Sequence, residues 1–410
     1  MSRVDQTTGK TKGLARFHVP LTRNPLLHNR VLISVSLAVF AAYTGIGMVG
    51  PVRVLYAESH GASLAIIGAM ASGYLISNFI FQYPVGWLAD RWGHKRVMIV
   101  GLLAQAILAA IYLWITDPVS FVVLRFFEGI AAAALLPPAR ALINDTVPPE
   151  QQGEAYGLFS AFFNGGFLLG PGIGGALASL GYSVPFIGAV VFRLLAVVIV
   201  IALIRVPKRA MSSAGETRQT APMRYRLLFT LPLVAAYLIA FGDYLYLGFD
   251  MTLMPLWMHD HLGASVAIIG LSYMLWAIPN MILSPIGGRL ADKRRRSTLI
   301  LVFGLAQVPL YILYGLATTW ILVVVVFTVH GIVYAFIQPA VDSHVAASAN
   351  SSMRGGVQGL YTTFGLFGAF VGNSGFSPLY EINFHLPLLA IGLAYGICVL
   401  IGGLMIRSIE

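Results

Sequence analysis

Charged and titratable side chains are scarce in this sequence, and five of them stand out because they lie inside long apolar runs. Arg125 and Glu128 are three residues apart, so on a helix they share a face and can form an ion pair. Asp243 and Asp250 belong to a later run, and His330 belongs to another. Charged groups inside a membrane are costly and usually functional, which makes these residues candidates for binding a proton or a charged ligand. The alternatives are a purely structural Arg125–Glu128 pair and a packed, hydrogen-bonded His330.

The composition identifies the surroundings of these residues as a lipid bilayer. The 410 residues are 58% hydrophobic and only 10% charged, whereas a soluble domain is about 45–50% apolar and about 25% charged. Soluble enzymes, disordered proteins and nucleic-acid-binding modules are therefore excluded. A membrane-spanning helix needs about 20 apolar residues, and twelve such runs follow one another along the chain. The sequence thus predicts an all-α membrane protein with twelve transmembrane helices.

One long polar stretch divides the twelve runs into two sets of six. We expect an N-terminal tail over 1–30, a first six-helix bundle over 31–205, a linker over 206–226 and a second six-helix bundle over 227–410. The composition of the linker is that of a solvated connection.

The two bundles are copies of one unit. They align at an offset of 202 residues, so that residues 61–68 read GASLAIIG and residues 263–270 read GASVAIIG. The same offset places His330 at the position of Glu128. Parallel repeats of this kind form a binding site at their interface near the middle of the membrane. We therefore expect a central cavity between the two bundles, lined by Glu128 from one side and by His330 from the other.

The basic residues are distributed unevenly between the loops. Of the 26 Lys and Arg residues, four lie within apolar runs (Arg53, Arg125, Arg140 and Arg193), and the other 22 lie in the tail, the linker and the loops on the side of both termini. We call this the basic side. The loops of the opposite side contain no Lys or Arg. By the positive-inside rule, the basic side and both termini are cytoplasmic, so the net charge of +10 is no indication of a nucleic-acid partner.

The loop after the second run carries a distinctive pattern of glycine, acidic and basic residues. Residues 86–96 read GWLADRWGHKR, and a degenerate copy at 288–296 lacks the second glycine. The pattern resembles the cytoplasmic signature loop of the major facilitator superfamily. The matching positions are Gly86, Asp90, Arg91, Gly93, Lys95 and Arg96, with Gly288 and Asp292 in the copy. The resemblance implies a gate in which Asp90 interacts with the positive end of the eleventh helix, near Gly355 and Gly356.

The fifth run contains a glycine pattern that is similar to the one marking proton-driven exporters within that superfamily. Gly166, Gly170 and Gly174 recur every four residues and form one smooth helix face that permits close packing. Pro171 removes a backbone hydrogen bond and permits a kink, and Gly175 completes the pattern. The resemblance implies proton-coupled export. Simple tight packing of helices is the alternative.

The resemblance covers essentially the whole chain and implies a secondary transporter that works by alternating access. We expect proton-coupled efflux of small amphipathic molecules by a monomer in a bacterial inner membrane, with substrate and protons as partners, no cofactor, no metal and no enzymatic activity. Six aromatic residues are candidates for lining the cavity: Tyr43, Tyr74, Phe163, Tyr246, Trp276 and Tyr334. The alternatives are an uptake symporter, a facilitator of sugars, metabolites or lipids, and a transporter-like sensor without flux.

Many drug exporters of the superfamily carry an acidic residue in the first span, but this chain has none between residues 31 and 56. A coupling carboxylate must therefore come from the fourth or seventh run. We expect Glu128 and Asp250 to be the main carriers of proton and cationic substrate, with Arg125 as the tuning charge. Asp243 and His330 are secondary candidates. The roles of the membrane arginines outside the Arg125–Glu128 pair stay open at this point.

The charge distribution generates a prediction about topology. In a Cys398→Ala background, a single cysteine replacing Ser183 should react with a membrane-impermeant reagent added outside the cell. One replacing Ser212 should react only after the membrane is permeabilised, because residue 212 lies in the basic linker. The opposite labelling pattern would show that the orientation is inverted.

Overall fold

The computed structural model describes residues 25–148, 151–204, 228–348 and 354–410. Most of the expected tail over 1–30 and the whole expected linker over 206–226 lie outside these residues. The described part of the chain forms fifteen α-helices. Their bounds are Arg30–Ser59 (α1), Leu64–Trp92 (α2), His94–Ile111 (α3), Pro118–Ala133 (α4), Leu136–Thr146 (α5), Gln152–Ala178 (α6), Val184–Leu203 (α7), Leu231–Asp250 (α8), Leu253–Asp260 (α9), Val266–Lys293 (α10), Arg296–Leu305 (α11), Gln307–Gly315 (α12), Trp320–Ser348 (α13), Arg354–Ile382 (α14) and Leu386–Arg407 (α15).

These helices form the predicted all-α membrane fold. Eleven described stretches are long and apolar enough to cross a bilayer, and α14, with 29 residues, occupies the position of the remaining predicted span. Three spans consist of two helices in succession, α4 with α5, α8 with α9, and α11 with α12. We refer to α1–α7 as the N-terminal half and to α8–α15 as the C-terminal half.

The repeat detected in the sequence recurs in the local structure. Ser63 and Ser265, 202 residues apart, are the N-caps of α2 and α10, and each accepts a hydrogen bond at 3.4 Å from the backbone N–H three residues later. Both turns also contain a glycine with positive φ, Gly61 at +84° and Gly263 at +64°. Glycine adopts this backbone region without steric cost. The same turn-and-cap signal therefore starts the second span of each half.

Helix packing follows the repeat as well. A Cβ atom added to Gly129 in α4 would overlap the carbonyl oxygen of Tyr74 in α2, and one added to Gly331 in α13 would overlap the carbonyl oxygen of Trp276 in α10. Both pairs are related by 202 residues. In each half, the backbone of the second span therefore touches that of the fourth, and only glycine permits this approach.

The predicted glycine face of the fifth span packs against the first span. Cβ atoms added to Gly166, Gly170 and Gly174 in α6 would lie less than 3 Å from backbone atoms of α1. The nearest backbone atoms of α1 belong to Phe40, Gly47 and Met48, respectively. The expectation of one smooth, closely packed helix face is thus confirmed. Tight packing of this kind holds α1, with its charged Arg53, in a fixed position relative to α6.

Contacts between the two halves close the molecule towards the opposite side. The Ser72 and Ser374 hydroxyl groups are 2.9 Å apart, and the Asn373 side-chain amide donates to the carbonyl oxygen of Gly68 at 2.9 Å, which links α2 to α14. The second link is between α6 and α10, where a Cβ atom on Gly175 would lie 3.1 Å from the Cα atom of Gly270. Both α2 and α10 begin on the opposite side, so these contacts lie in that half of the membrane.

The glycine packing generates a prediction with a control in the same helix. Gly174→Ala should destabilise the protein by about 1–3 kcal/mol, because the added methyl group must push α6 away from the Met48 carbonyl oxygen. Gly157→Ala, in a part of α6 where an added Cβ has open space, should be neutral or stabilising by up to ~1 kcal/mol. Thermal unfolding in detergent measures both effects, and equal stability of the two variants would contradict the packing argument.

Candidate functional site

A cavity of about 310 Å³ lies between the two halves and is lined by residues of both. Its size is at the lower end of the range of small-molecule binding sites, about 300–1,000 Å³. The charged groups in its wall come from five helices, α1, α4, α7, α8 and α13. They are Arg53, Arg125, Glu128, Arg193, Asp243, Asp250 and His330. All five residues singled out from the sequence as candidates for charge and proton chemistry therefore line one cavity.

The Arg125–Glu128 pair exists and includes a further arginine. The Arg125 Nη1 atom donates to Glu128 Oε2 at 2.9 Å, and the Arg53 Nη2 atom lies 3.6 Å from the same oxygen. Glu128 is 4% exposed. Two guanidinium groups thus approach one buried carboxylate, and α1 is joined electrostatically to α4.

Aromatic rings pack against the two guanidinium groups that approach Glu128. The Arg125 guanidinium lies 4.1 Å from the centroid of the Tyr74 ring, and the Arg53 guanidinium lies 5.7 Å from that of Tyr112. Cation–π contacts of this kind stabilise a guanidinium group where water is scarce.

The helix that carries Arg125 and Glu128 begins with a strong local signal, since Asp117 caps α4 by accepting a hydrogen bond from the Ser120 backbone N–H at 2.9 Å.

A third arginine of the N-terminal half lines the same cavity. Arg193 in α7 is 2% exposed and lies close enough to Glu128 for the two charges to interact. Its Nε and Nη1 atoms have no hydrogen-bond partner among the described residues, and the same is true of Arg53 Nε. Sequence reasoning left Arg53 and Arg193 without a role, although their position inside apolar runs was a signal. In the structure, three of the four arginines inside apolar runs line the cavity.

The two aspartates of α8 lie in the C-terminal half of the wall, and tyrosines are their partners. The Tyr334 hydroxyl donates to Asp243 Oδ2 at 2.8 Å. The Tyr273 hydroxyl donates to the carbonyl oxygen of Asp250 at 2.7 Å and lies 3.3 Å from Asp250 Oδ1. Asp250 is 8% exposed. In the described part of the chain, no basic side chain pairs with either aspartate within 4.0 Å.

Asp250 also occupies a special backbone position, because it is the last residue of α8. The seventh span breaks between Asp250 and Leu253, where α9 begins. Carbonyl groups at a helix C-terminus carry partial negative charge, which repels a carboxylate. A bound proton or a neighbouring cation would remove this repulsion.

His330 is surrounded by aromatic rings and uses both of its nitrogens. Its Nε2 atom lies 2.9 Å from Gln307 Oε1, and its Nδ1 atom lies 3.3 Å from the Tyr314 hydroxyl. The rings of Tyr246 and Trp276 pack nearby, with centroids 5.3 and 6.2 Å from that of the imidazole. The geometry favours the alternative of a packed, hydrogen-bonding histidine over that of a mobile proton carrier.

Five of the six aromatic cavity candidates line the cavity, and one does not. The five are Tyr43, Tyr74, Tyr246, Trp276 and Tyr334. Phe163 is absent from the wall because its ring packs edge-on against Tyr43, with the centroids 4.3 Å apart. Phe163 therefore packs against a cavity residue without lining the cavity itself. The fifth-span pattern also contributes to the wall through Pro171.

The signature loop between α2 and α3 is held by backbone geometry and by a lysine. Gly93 has a φ of +95°, which glycine adopts readily, and it separates the two helices. The Lys95 ammonium group donates to the carbonyl oxygens of Ile201 and Ile204 at 2.9 and 2.7 Å. These carbonyls are at the C-terminal end of α7, where helices lack internal donors. Lys95 therefore fastens the loop to the sixth span.

The remaining residues of the loop lie at the surface. The Asp90 side chain is 73% exposed and lies 4.0 Å from His94, which in turn lies 3.9 Å from Asp145 at the end of α5. Arg91 stacks on the Trp87 ring at 4.9 Å, and Arg96 is exposed. The side chains of Asp292 and of the first residues of α14 lie outside the described part, so the predicted contact of Asp90 with Gly355 and Gly356 stays a prediction. Gly86 and Gly288 lie within α2 and α10.

Among the described residues, no three His, Cys, Asp or Glu side chains come together in a group that could hold a metal ion. The arrangement is instead one of a few charged groups, some of them ion-paired, around an apolar and aromatic space. Such a wall suits the binding of an amphipathic molecule, with polar groups that fix its orientation.

Comparison with known proteins agrees with this architecture. The profile described as Major Facilitator Superfamily matches residues 35–373. The quinolone resistance protein NorA of Staphylococcus aureus (strain COL) is 25% identical over 372 residues, which cover 89% of this chain and 94% of that protein. Multidrug resistance protein 2 of Bacillus subtilis (strain 168) is 24% identical over 363 residues, which cover 86% of this chain and 90% of that protein.

Solved structures show the same fold. A bacterial homologue of the human lysosomal transporter Spinster, solved in an inward-facing and unoccupied conformation, has a TM-score of 0.73 with this structure at 16% identity, over 93% of this chain and 97% of that chain. The family profile, the repeated helices and the shared fold lead to one conclusion. This chain belongs to the Major Facilitator Superfamily, whose members are multi-pass membrane proteins that transport small molecules and are not enzymes.

Proposed function

We propose that this protein is a proton-coupled exporter of small amphipathic molecules that works by alternating access as a monomer in a bacterial inner membrane, with both termini cytoplasmic. The observation that carries the proposal is the pair of aspartates in the wall of the central cavity, the half-buried Asp243 and the buried Asp250. They face tyrosine hydroxyls, and no basic partner is found among the described residues. The names of the two relatives, a quinolone and a multidrug resistance protein, support efflux as the direction.

A buried carboxylate without a counter-ion is costly inside a membrane. Asp243 and Asp250 therefore need a proton or the cationic group of a substrate, and the two ligands compete. For Asp250 the repulsion by the C-terminal end of α8 adds to this need. Competition at one carboxyl group is the simplest mechanism of exchange: substrate enters as the proton leaves, and a proton replaces the substrate on the other side.

Glu128 is in a different situation from the two aspartates. Its carboxylate is paired with Arg125 and Arg53, so neutralising it would leave buried guanidinium groups without their counter-charge. Breaking a buried ion pair by removing one partner typically costs about 3–5 kcal/mol. The geometry therefore favours Asp250 and Asp243 as the proton carriers, whereas Glu128 holds the arginines in place.

The helix that carries the exporter pattern is well placed to take part in alternation. One face of α6 packs against α1 in its own half, and Gly175 packs against Gly270 of α10 in the other half. The cavity residue Pro171 takes part in both contacts, because a Cβ atom added to Gly47 of α1 would lie 3.0 Å from its Cδ atom and one added to Gly270 of α10 would overlap its carbonyl oxygen. Opening the cavity to the opposite side requires that the α6–α10 and α2–α14 contacts separate, and substrate or proton binding in the cavity wall can bias that step.

Transport by purified protein in liposomes tests the proposal. Two probes that share the same naphthyl body and amine are 2-naphthylalanine, a zwitterion, and its slightly larger methyl ester, a cation. At least one should be concentrated by an imposed pH gradient above the level in protein-free liposomes. Asp250→Asn should reduce this driven accumulation at least tenfold, because the amide cannot exchange a proton. It should retain exchange of labelled for unlabelled probe at a higher probe concentration, because Asp243 still attracts the cationic group. Asp243→Asn should act in the same direction.

The control is Glu381→Gln, which removes an exposed carboxylate of α14 and should leave transport unchanged. Glu128→Gln should lower the unfolding temperature, whereas the protein that stays folded should still accumulate the probe in response to the pH gradient. Gradient-driven accumulation that is unaffected in both aspartate variants would contradict the proton sites. Flux of both probes without any response to the pH gradient would identify a facilitator, probe uptake coupled to proton entry would identify a symporter, and binding without flux would identify a sensor. Each of these outcomes overturns the proposed function.

A further inference from the structure

The charges of the cavity wall are separated between the two halves. The N-terminal half contributes three guanidinium groups, Arg53, Arg125 and Arg193, and the single carboxylate Glu128. The C-terminal half contributes the carboxyl groups of Asp243 and Asp250. The first group, which we call the arginine pole, has more positive than negative charge. The second, the aspartate pole, has only acidic groups.

The aspartate pole does not neutralise the arginine pole. Asp243 and Asp250 are bonded to Tyr334 and Tyr273 of their own half, and the ion pairs of the arginine pole all end on Glu128. One carboxylate cannot balance three guanidinium groups, which stay charged at any physiological pH because arginine is not deprotonated in proteins. The arginine pole is therefore short of negative charge.

The arginine pole is also short of hydrogen-bond acceptors. Nε and Nη1 of Arg193 and Nε of Arg53 are buried and have no partner among the described residues. Buried donors without acceptors are costly and rare. Because both arginines line the cavity, a ligand in the cavity can supply the missing acceptor, and an anionic oxygen supplies the missing charge at the same time.

We infer that the substrate of this transporter is an amphipathic zwitterion, whose anionic group is bound by Arg193 and Arg53 and whose cationic group lies at the aspartate pole. The inference rests on the proposed function, in which the cationic group competes with the proton. The anionic group adds specificity: a purely cationic molecule leaves the arginine pole unbalanced and is repelled by it. The aromatic residues of the wall contact the apolar body of the molecule.

A purely structural role of Arg193 is the competing explanation. Glu128 Oε1 has no hydrogen-bond partner among the described residues, so Arg193 could serve as a further counter-charge for Glu128 and have no contact with substrate. In that case, replacing Arg193 would weaken the protein and the binding of every ligand to the same degree. The zwitterion site instead requires an effect that depends on the charge of the ligand.

Binding to the purified full-length protein distinguishes the two. The probes are 2-naphthylalanine (zwitterion), its methyl ester (cation) and its N-acetyl derivative (anion), and naphthalene fluorescence reports binding. We expect the zwitterion to bind at least tenfold more tightly than either single-charge probe. Arg193→Gln should abolish the preference for the zwitterion over the methyl ester without weakening the binding of the ester. Arg407→Gln, an exposed arginine at the end of α15, is the matched control and should change nothing.

Arg193→Lys keeps the charge but loses the planar guanidinium group, so it should retain part of the preference. If Arg193→Gln does not fold, Arg193→Lys decides: weaker binding of the zwitterion alone supports the site. Equal losses for zwitterion and ester would show a structural role and overturn the inference. Ester binding as tight as zwitterion binding in the wild type, or no binding of any probe, would overturn it as well.

The failures of this inference and of the proposed function are separable. Proton-driven accumulation of the methyl ester but not of 2-naphthylalanine would confirm proton coupling and overturn the zwitterion site. Charge-dependent binding that is lost in Arg193→Gln, together with flux that does not depend on the pH gradient, would support the zwitterion site and overturn proton coupling.

Discussion

The cost of a charge inside a lipid bilayer is the constraint on which the rest of this structure depends. Each ionisable group in the cavity wall must have a counter-charge, a hydrogen-bond partner or a ligand. Glu128 meets this requirement within the protein through Arg125 and Arg53. Asp250 has the Tyr273 hydroxyl but no counter-charge, and two donor atoms of Arg193 have no acceptor among the described residues. These incompletely partnered groups are the ones that can respond to a substrate or a proton.

Close backbone packing keeps these charges in place. Glycine contacts between the first and fifth spans, and between the second and fourth, recur in both halves: Gly170 packs against Gly47, and Gly372 packs against Leu245. Contacts of this type have little freedom to adjust, because a carbonyl oxygen occupies the place of any added side chain. In the alternating access that we propose, each half moves as a unit, and the change between states is confined to the interface between halves, where α2 meets α14 and α6 meets α10. The charges lie beside that interface.

The sequence predicts most of this architecture because its signals are local. Each apolar run is a local signal and becomes helical in the structure. The matching stretches at 61–68 and 263–270 are also short, and both form the same capped turn. The Arg125–Glu128 pair was predictable for the same reason, since the two share one helical turn.

The parts that were not predictable depend on contacts between helices distant in sequence. Arg53 reaches Glu128 from α1, and Arg193 reaches the same cavity from α7. Apolar sequences carry little information on which helix face points inward, because lipid-facing and protein-facing residues are chemically alike. Phe163 illustrates this: it was a cavity candidate as an aromatic residue of the fifth span, but its ring packs against Tyr43 outside the cavity wall. The break of the seventh span after Asp250 was also missed, although Gly248 precedes it and Pro255 lies in the first turn of α9.

The most direct test of the account is whether substrate binding releases protons from the aspartate pole. Purified protein in weakly buffered solution with a pH indicator is mixed with whichever naphthylalanine probe carries an amine and binds. The account predicts proton release from the wild type, and none from a variant carrying both Asp243→Asn and Asp250→Asn that still binds the probe. Binding to the wild type without proton release at any pH between about 5 and 8, or equal release from the double variant, would contradict it.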